Sequence, residues 1–129
     1  MIVLVTGDRW WHDYQLILCR IRSWHEQVPI HLLIHGACRG ADLMADRAAE
    51  YLDIPRDPNP ADWDRHGPSA GPIRNRQMFH KHPVDLVLAF HDHIQSSKGT
   101  RDMIRVALGS GCLVELTSQN ETIFPYTIS

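Results

Sequence analysis

Hydrophobic residues along this chain form short apolar runs that alternate with longer segments in which apolar side chains recur at helical spacing. A short continuous apolar run is typical of a strand buried on both faces. The runs that predict strands lie at residues 2–6, 30–34, 84–90 and 112–116. The segments that predict helices lie at residues 14–27, 42–52, 72–80 and 100–108. Because strands and helices alternate, we expect an α/β fold, a three-layer sandwich around a mostly parallel sheet of about five strands.

The remaining segments add little to this architecture. Residues 54–64 contain three prolines, which restrict any strand there to a short strand at a sheet edge. Residues beyond 117 carry no pattern that predicts an element. With 129 residues and no internal repeat or linker, the chain is expected to form a single domain over residues 1–129. Its 43% hydrophobic and 22% charged residues are typical of an ordered globular core.

Composition also bears on location and partners. The first residues lack the basic flank of a signal peptide, and every apolar run is far shorter than the ~20 residues of a membrane helix. The three cysteines are widely spaced, which favours reduced thiols, so we expect a cytoplasmic protein without membrane partners. The net charge is −2 and the basic residues are scattered, which argues against binding of duplex nucleic acid. A small anionic ligand needs only a few local donors.

Glycine-rich loops follow the predicted strands and carry the main functional signal. Each of four such loops places glycine beside a polar or basic residue, at residues 6–9, 35–42, 67–75 and 96–100. Glycine lets backbone N–H groups approach a phosphate, and a helix that begins there adds the positive end of its dipole. Since the carboxyl ends of parallel strands share one sheet edge, we expect the loops to form one phosphate-binding pocket. The predicted contacts are Gly7, Gly36, Arg39, Gly40, Gly71, Arg74, Asn75, Gly99 and Thr100.

Three further residues are assigned to the sugar or base of such a ligand: Arg9, Asp62 and Trp63. Trp63 is suited to stacking on a base or to forming the pocket wall, with a place in the core as the alternative. Asp62 is a candidate for hydrogen bonding to ribose hydroxyls and is also the one weak candidate for an acid or base catalyst. Asp42, at the start of the second predicted helix, is interpreted first of all as a helix cap. Trp10 and Trp11 are adjacent and cannot both face inward, so one of them is expected to cover a dimer surface or the pocket.

Two sharper interpretations of polar residues are weaker than their plain alternatives. His91 and His93 alternate along the chain and in principle chelate one ion, but no third ligand is evident, so we predict no metal and no cofactor. His35 and Cys38 suggest a base and nucleophile pair, whereas a small residue lining the loop is the simpler interpretation of Cys38.

Six motifs together resemble one known family. They are VTGDR at residues 5–9, HGACRGAD at 35–42, PADWDRHG at 60–67, AGPIRN at 70–75, DLVLAF at 85–90 and GTRDM at 99–103. In order and spacing they are similar to the YspA-like, cpYpsA-related branch of the SLOG superfamily. That Rossmannoid superfamily also contains the cytokinin-activating LOG enzymes and the DNA-processing DprA proteins. The resemblance covers residues 2–115, and it implies a Rossmann-like fold, a pocket for a nucleotide-derived ligand and assembly into a homodimer or higher homo-oligomer.

The departures from the family pattern bear on activity. The family usually has glycine or serine in place of Asp8 and a second glycine in place of Ala37. LOG enzymes have a catalytic glutamate three residues after the threonine of their glycine loop, where this chain has Met103. Methionine cannot act as an acid, so LOG-type phosphoribohydrolase activity is not expected.

The favoured function is therefore binding of a nucleotide-derived, phosphate-bearing molecule by a sensor or sequestering protein. The resemblance implies a role in phage-conflict or nucleotide-signalling systems. The alternative is a hydrolase that cleaves an N-glycosidic or phosphate bond of such a molecule. Single-stranded DNA binding in the manner of DprA is disfavoured by the charge of the chain.

Overall fold

The computed structural model describes residues 1–128 and shows a six-stranded sheet with helices on both faces. The strands are β1 (Ile2–Gly7), β2 (Leu32–His35), β3 (Arg56–Pro58), β4 (Leu86–Phe90), β5 (Leu113–Thr117) and β6 (Thr122–Ile123). The helices are α1 (Tyr14–Gln27), α2 (Ala41–Tyr51), α3 (Trp63–His66), α4 (Ala70–Lys81) and α5 (Gly99–Gly109). This arrangement confirms the predicted α/β fold and its Rossmann-like three-layer sandwich.

The sheet has the order β3-β2-β1-β4-β5-β6, and its first five strands are parallel. One core cluster packs α1 and α2 against one face, where Val3, Val5 and Ile17 are fully buried. A second cluster packs α4 and α5 against the other face, where Leu4 and Met103 are fully buried. Alternate residues of β1 therefore serve opposite cores, as the period of two along a strand requires.

Three details differ from the sequence-based expectation. A short antiparallel strand, β6, pairs with β5 in the tail for which no element was predicted. The two-residue strand is too short to leave a periodic pattern. The one-turn helix α3 and a turn of 3-10 helix at Gly67–Ser69 precede α4, which begins at Ala70, before the expected start at Pro72. The second strand begins at Leu32, and Ile30 is buried in the connecting segment before it.

A buried charge on β5 was not predicted at all. Glu115 is 1% exposed, and its carboxylate accepts hydrogen bonds from Arg20 at 2.7 and 3.1 Å and from the Trp24 indole at 3.1 Å. Hydrogen bonding to Glu115 raises the pKa of Arg20 above its ordinary value, against the opposing effect of burial. This ion pair joins α1 to β5. Across residues 1–128, none of the helices has the length and apolar character needed to span a membrane.

Candidate functional site

A cleft of about 290 Å³ opens at the carboxyl ends of the central strands. From β1 the chain continues to α1 on one face, whereas from β4 it continues to α5 on the other, and these two strands are neighbours in the sheet. Such a reversal of strand order leaves a crevice between diverging loops, which is where ligands bind in open α/β sheets. The position of the cleft therefore follows from the topology alone.

The loop after β1 forms the first wall, and Gly7 is needed for its close approach. A Cβ at Gly7 would lie 2.5 Å from the carbonyl oxygen of Phe90 and 2.6 Å from the Ala41 side chain. The next residue, Asp8, donates its N–H to Phe90 at 2.9 Å and accepts from the Ala41 N–H at 3.1 Å. These backbone bonds fix the loop to both β4 and α2, and the exposed side chain of Arg9 lies at the rim of the cleft.

The first turn of α5 forms the opposite wall. Gly99 is the first residue of this helix, and the N-cap residue Lys98 makes no side-chain hydrogen bond to it. The Ser97 hydroxyl accepts from the Thr100 N–H at 3.1 Å. The amino-terminal turn of a helix presents unpaired N–H groups and a partial positive charge, to which Lys98 adds an exposed ammonium group. This wall favours an anion.

Arg74, on α4, also lines the cleft. Its guanidinium donates to the carbonyl oxygens of Gly36 and of Asn59, the latter at 3.1 Å, and to the side-chain oxygen of Asn75 at 3.0 Å. Asn75 in turn donates to the Asp102 carboxylate at 3.0 Å. Arg74 therefore holds the ends of β2 and β3 in place. Since these acceptors are uncharged, its positive charge still acts on the cleft.

The loop between β2 and α2 is arranged differently, because its N–H groups have partners within the protein. The N–H groups of Gly36 and Cys38 both donate to Asp42 Oδ2, at 3.0 and 3.3 Å. The N–H of Ala37 donates to His35 Nδ1 at 3.0 Å. Ala37 has a φ of +57°, the left-handed conformation that favours glycine, which accounts for the glycine that the family pattern has at this position. A carboxylate of the protein thus occupies the predicted phosphate loop.

The end of the same loop is packed against the first wall. Gly40 has a φ of +79°, and a Cβ there would lie 2.4 Å from the Asp8 carbonyl oxygen. The Arg39 guanidinium lies over the Trp10 ring, 4.4 Å from its centroid. Gly40 and Arg39 therefore pack against the first wall of the cleft without lining the cleft themselves.

Asp42 lies at the base of the cleft and is only 5% exposed. Burial raises the pKa of this carboxyl group to about 6, against the opposing effects of His35, the Cys38 and Gly36 N–H groups and Arg74. His91, on the opposite side, also has an altered affinity for protons: burial lowers the pKa of its ring below the ordinary value, although the charges of Asp8 and Asp92 oppose this. The Asp42 carboxyl group therefore changes its protonation state within the cleft at a mildly acidic pH of about 6.

Two tryptophans flank the opening. Trp10 is 67% exposed and Trp63, the first residue of α3, is 53% exposed. Gly71 faces Trp63, whose ring lies 3.5 Å from the position of a Cβ on Gly71. Exposed indole rings beside a cationic wall are suited to stacking on a planar base. Trp11 instead packs edge-on against Phe90 in the core and is 4% exposed, so of the adjacent pair it is Trp10 that lies at the cleft.

The cleft brings together eight of the twelve residues proposed from sequence as ligand contacts. These are Gly7, Arg9, Trp63, Gly71, Arg74, Asn75, Gly99 and Thr100. Gly36, Arg39, Gly40 and Asp62 do not line it. Asp62 is exposed and caps α3, where its Oδ1 accepts from the Arg65 N–H at 3.1 Å, which explains why it lies outside the cleft.

Sequence reasoning left eight other lining residues out of the contact set: Thr6, Asp8, Trp10, Cys38, Asp42, His91, Ser97 and Lys98. Asp42 was interpreted as a helix cap, and the lysine before Gly99 was a usable signal, because it precedes a glycine that opens a helix. Met103, at the position of the LOG glutamate, is 0% exposed in the core under α5 and does not line the cleft.

Other candidate centres are weaker. His91 Nδ1 accepts the N–H of His93 at 2.9 Å, so the pair is organised by a backbone hydrogen bond. Within the described residues, no cluster of three or more histidine, cysteine, aspartate or glutamate side chains has the arrangement of a metal site. A larger, open groove of about 700 Å³ lies at the opposite edge of the sheet, between residues 79–85 and 110–113. It lies at the amino ends of β4 and β5, away from the helix N-termini that favour anions.

Comparison with known proteins gives two matches. The sequence profile described as "YspA, cpYpsA-related SLOG family" matches residues 1–66. The "Gene 61 protein" of Mycobacterium phage D29 is 36% identical over 115 residues, which cover 84% of this chain and 90% of the phage protein. No solved structure matches the chain significantly.

Proposed function

Because this chain belongs to the YspA, cpYpsA-related SLOG family, we propose that it binds a nucleotide or a nucleotide-derived, phosphate-bearing small molecule. In this proposal the protein is a cytoplasmic sensor or sequestering protein that acts as a homo-oligomer. The relative encoded by a phage supports a role in signalling between phage and host. The proposed ligand is small, since the cleft holds about 290 Å³ and the net charge of the chain is −2.

One observation carries the proposal: the cleft at the switch point combines an anion-binding wall with exposed aromatic rings. The first turn of α5, Lys98 and Arg9 are placed to hold phosphate groups. Trp10 and Trp63 are placed to contact a base. A ligand that carries phosphate at one end and a planar ring at the other matches this pairing.

The hydrolase alternative has less support. Its carboxylate candidate, Asp62, lies outside the cleft and is used as a helix cap. Met103 leaves the position of the LOG glutamate without an acid and lies in the core. Chromatography of the ligand after incubation with the protein separates the two functions, because a binder returns it unchanged and a hydrolase does not.

Isothermal titration calorimetry with ADP-ribose, ADP, AMP and cyclic dinucleotides tests the proposal. We expect at least one of them to bind and to raise the melting temperature. Lys98→Ala should weaken that binding by about fivefold to tenfold, because it removes an exposed charged donor from the anion-binding wall.

Arg105→Ala is the matched control, since Arg105 is an exposed cation on the same helix that does not line the cleft. We expect it to leave the affinity unchanged. Absence of binding across the panel would overturn the proposed function, and equal losses in the two variants would show that only the overall charge matters.

A further inference from the structure

The charges inside the cleft are divided between its walls and its base. Cationic groups lie at the rim and on the wall that α5 forms, where Arg9 and Lys98 are exposed. The base contains the carboxyl group of Asp42, which is 5% exposed. Two anions in direct contact repel each other strongly at a site of low dielectric constant. A phosphate group bound in this cleft is therefore expected at the α5 wall and away from Asp42.

Asp42 has one oxygen that is already used and one that is left for a ligand. Its Oδ2 accepts two backbone N–H groups, from Gly36 and Cys38. Its Oδ1 has no such bond among the described residues, and the side chain lines the cleft. A carboxylate oxygen accepts hydrogen bonds, so a ligand group that meets Oδ1 must donate one.

We propose that Asp42 is a specificity-determining residue that binds a hydroxyl or amino donor of the ligand, while the phosphate lies at the first turn of α5. The inference rests on the proposed function and deepens it. It selects ligands that carry both an anion and a hydrogen-bond donor, and it fixes their direction in the cleft. Ribose hydroxyls and the amino group of a base are the two sources of such a donor in a nucleotide.

The protonation of Asp42 gives this contact a pH dependence. Several charged or titratable groups face the carboxyl group or share its cleft, namely His35, Cys38, Arg74, Asp8, Arg9, His91 and Lys98. Burial raises the pKa of Asp42 to about 6 in the free protein. A ligand donor favours the ionised form, so affinity is expected to fall as the pH drops through about 6. Protonation of His91 and of the ligand's own phosphate also changes the affinity with pH. These two effects are common to the parent protein and its variants, so a comparison between them isolates the effect of Asp42.

The experiment compares Asp42→Asn with the parent protein by calorimetric titration of ADP-ribose at pH 8 and pH 5. The asparagine keeps an oxygen for the Gly36 and Cys38 N–H groups and presents an amide group to the ligand in place of the free oxygen. ADP-ribose is chosen because its phosphates are diesters without a pKa near 6. We expect Asp42→Asn to weaken binding at least tenfold at pH 8. We expect the parent protein to bind about tenfold more weakly at pH 5 than at pH 8, and the variant to lose this dependence.

Asp64→Asn is the matched control, because it removes the same charge from an exposed residue of α3 outside the cleft. We expect it to behave as the parent protein does. A second pair of ligands, ADP and 2′,3′-dideoxy-ADP at pH 8, identifies the donor. If a ribose hydroxyl meets Asp42, the dideoxy compound binds more weakly than ADP to the parent protein but equally to Asp42→Asn; if a base amino group does, both compounds lose affinity alike in the variant.

The outcomes that overturn the inference differ from those that overturn the proposed function. If the parent protein binds none of these ligands, the proposed function and this inference fail together. If it binds them and Asp42→Asn binds equally well with the same pH profile, only the role of Asp42 fails. An affinity that rises at pH 5 in the parent protein alone would mean that phosphate meets a protonated Asp42, and this also overturns the inference.

Discussion

The two glycine loops on either side of the cleft look alike in sequence but are used differently. In the loop between β2 and α2, the N–H groups of Gly36 and Cys38 are satisfied by Asp42, and that of Ala37 by His35. In the turn that opens α5, the Thr100 N–H donates to the neutral Ser97 hydroxyl, the N-cap residue contributes no side-chain bond, and an exposed lysine stands beside the first glycine. The first loop is therefore a rigid support, and the second is the wall that favours an anion.

The comparison shows that a glycine in sequence indicates a loop whose backbone can approach a phosphate. It does not indicate which acceptor the N–H groups of that loop bind. A buried acceptor from the same chain competes with any ligand for those groups, because backbone donors in a buried loop have to be paired. A carboxylate two residues beyond the last glycine, as Asp42 is beyond Gly40, is such a competitor. In the α5 turn the side-chain acceptor is instead the neutral Ser97 hydroxyl, and this difference in charge distinguishes the two loops.

The largest difference should appear on adding one methyl group to each loop. Gly40→Ala places a Cβ 2.4 Å from a backbone oxygen at a φ of +79°, so both sterics and backbone conformation oppose it. We expect a loss of about 3 kcal/mol or more in the free energy of unfolding. Gly99→Ala meets nothing within 4 Å and lies in a helix, so we expect a change within about 1 kcal/mol, in the stabilising direction. Urea denaturation measures both, and similar losses would contradict the contrast between the loops.

Much of the fold was predictable because its strands and helices have strong patterns. The all-buried strand β4 (Leu86–Phe90) and the amphipathic helix α5 (Gly99–Gly109) were found within a few residues of their ends. The ion pair of Arg20 with Glu115 was not found, since it joins residues 95 positions apart. The glutamate within the apolar run at residues 112–116 was the one local signal of a buried charge. Strand β6 (Thr122–Ile123) depends on pairing with β5 and not on its own sequence.

The candidate site was predicted in position more fully than in detail. Parallel strands bring their carboxyl ends to one edge, so loops that are far apart in sequence were grouped together, and residues such as Gly7 and Gly99 line one cleft. Which side chain accepts a hydrogen bond from which N–H group depends on distances of a few tenths of an ångström. The spacing of residues along the sequence does not determine such distances. For this reason Gly36 and Gly40 were placed among the phosphate contacts, while Asp42 was interpreted only as a helix cap.

The next largest contrast concerns the two cations, Arg74 and Lys98. Arg74→Met keeps most of the apolar stem but leaves the carbonyl oxygens of Gly36 and Asn59 without their charged donor, so we expect a loss of about 2–3 kcal/mol in stability. Lys98→Met changes an exposed side chain and should alter stability by at most about 0.5 kcal/mol. Thermal and urea unfolding measure the pair. A destabilised Lys98→Met protein would mean that Lys98 at the α5 turn also contributes to the stability of the fold.

The smallest effect is the most telling, because it is expected to be stabilising. The folded protein holds the pKa of Asp42 at about 6, above the 3.8 of the free carboxyl group, so folding disfavours the ionised form. Well above pH 6 the group is ionised in both states and the full penalty is present. The penalty declines as the pH falls through about 6, is largely gone by about pH 4, and is absent only well below the ordinary pKa of 3.8. The shift corresponds to about 3 kcal/mol at most. Asparagine forms weaker hydrogen bonds with the loop than a carboxylate does, so the net gain is smaller.

We therefore expect Asp42→Asn to raise the free energy of unfolding by about 1–2 kcal/mol at pH 8 and to lose this advantage at pH 4. Asp64→Asn, on the exposed surface of α3, should show no comparable gain at either pH. Urea denaturation at the two pH values gives the comparison directly. A variant that is less stable than the parent protein at pH 8 would mean that Asp42 serves mainly to hold the loop between β2 and α2. A more stable variant that binds ligand poorly would instead identify a carboxyl group retained at a cost to stability, as residues of functional sites often are.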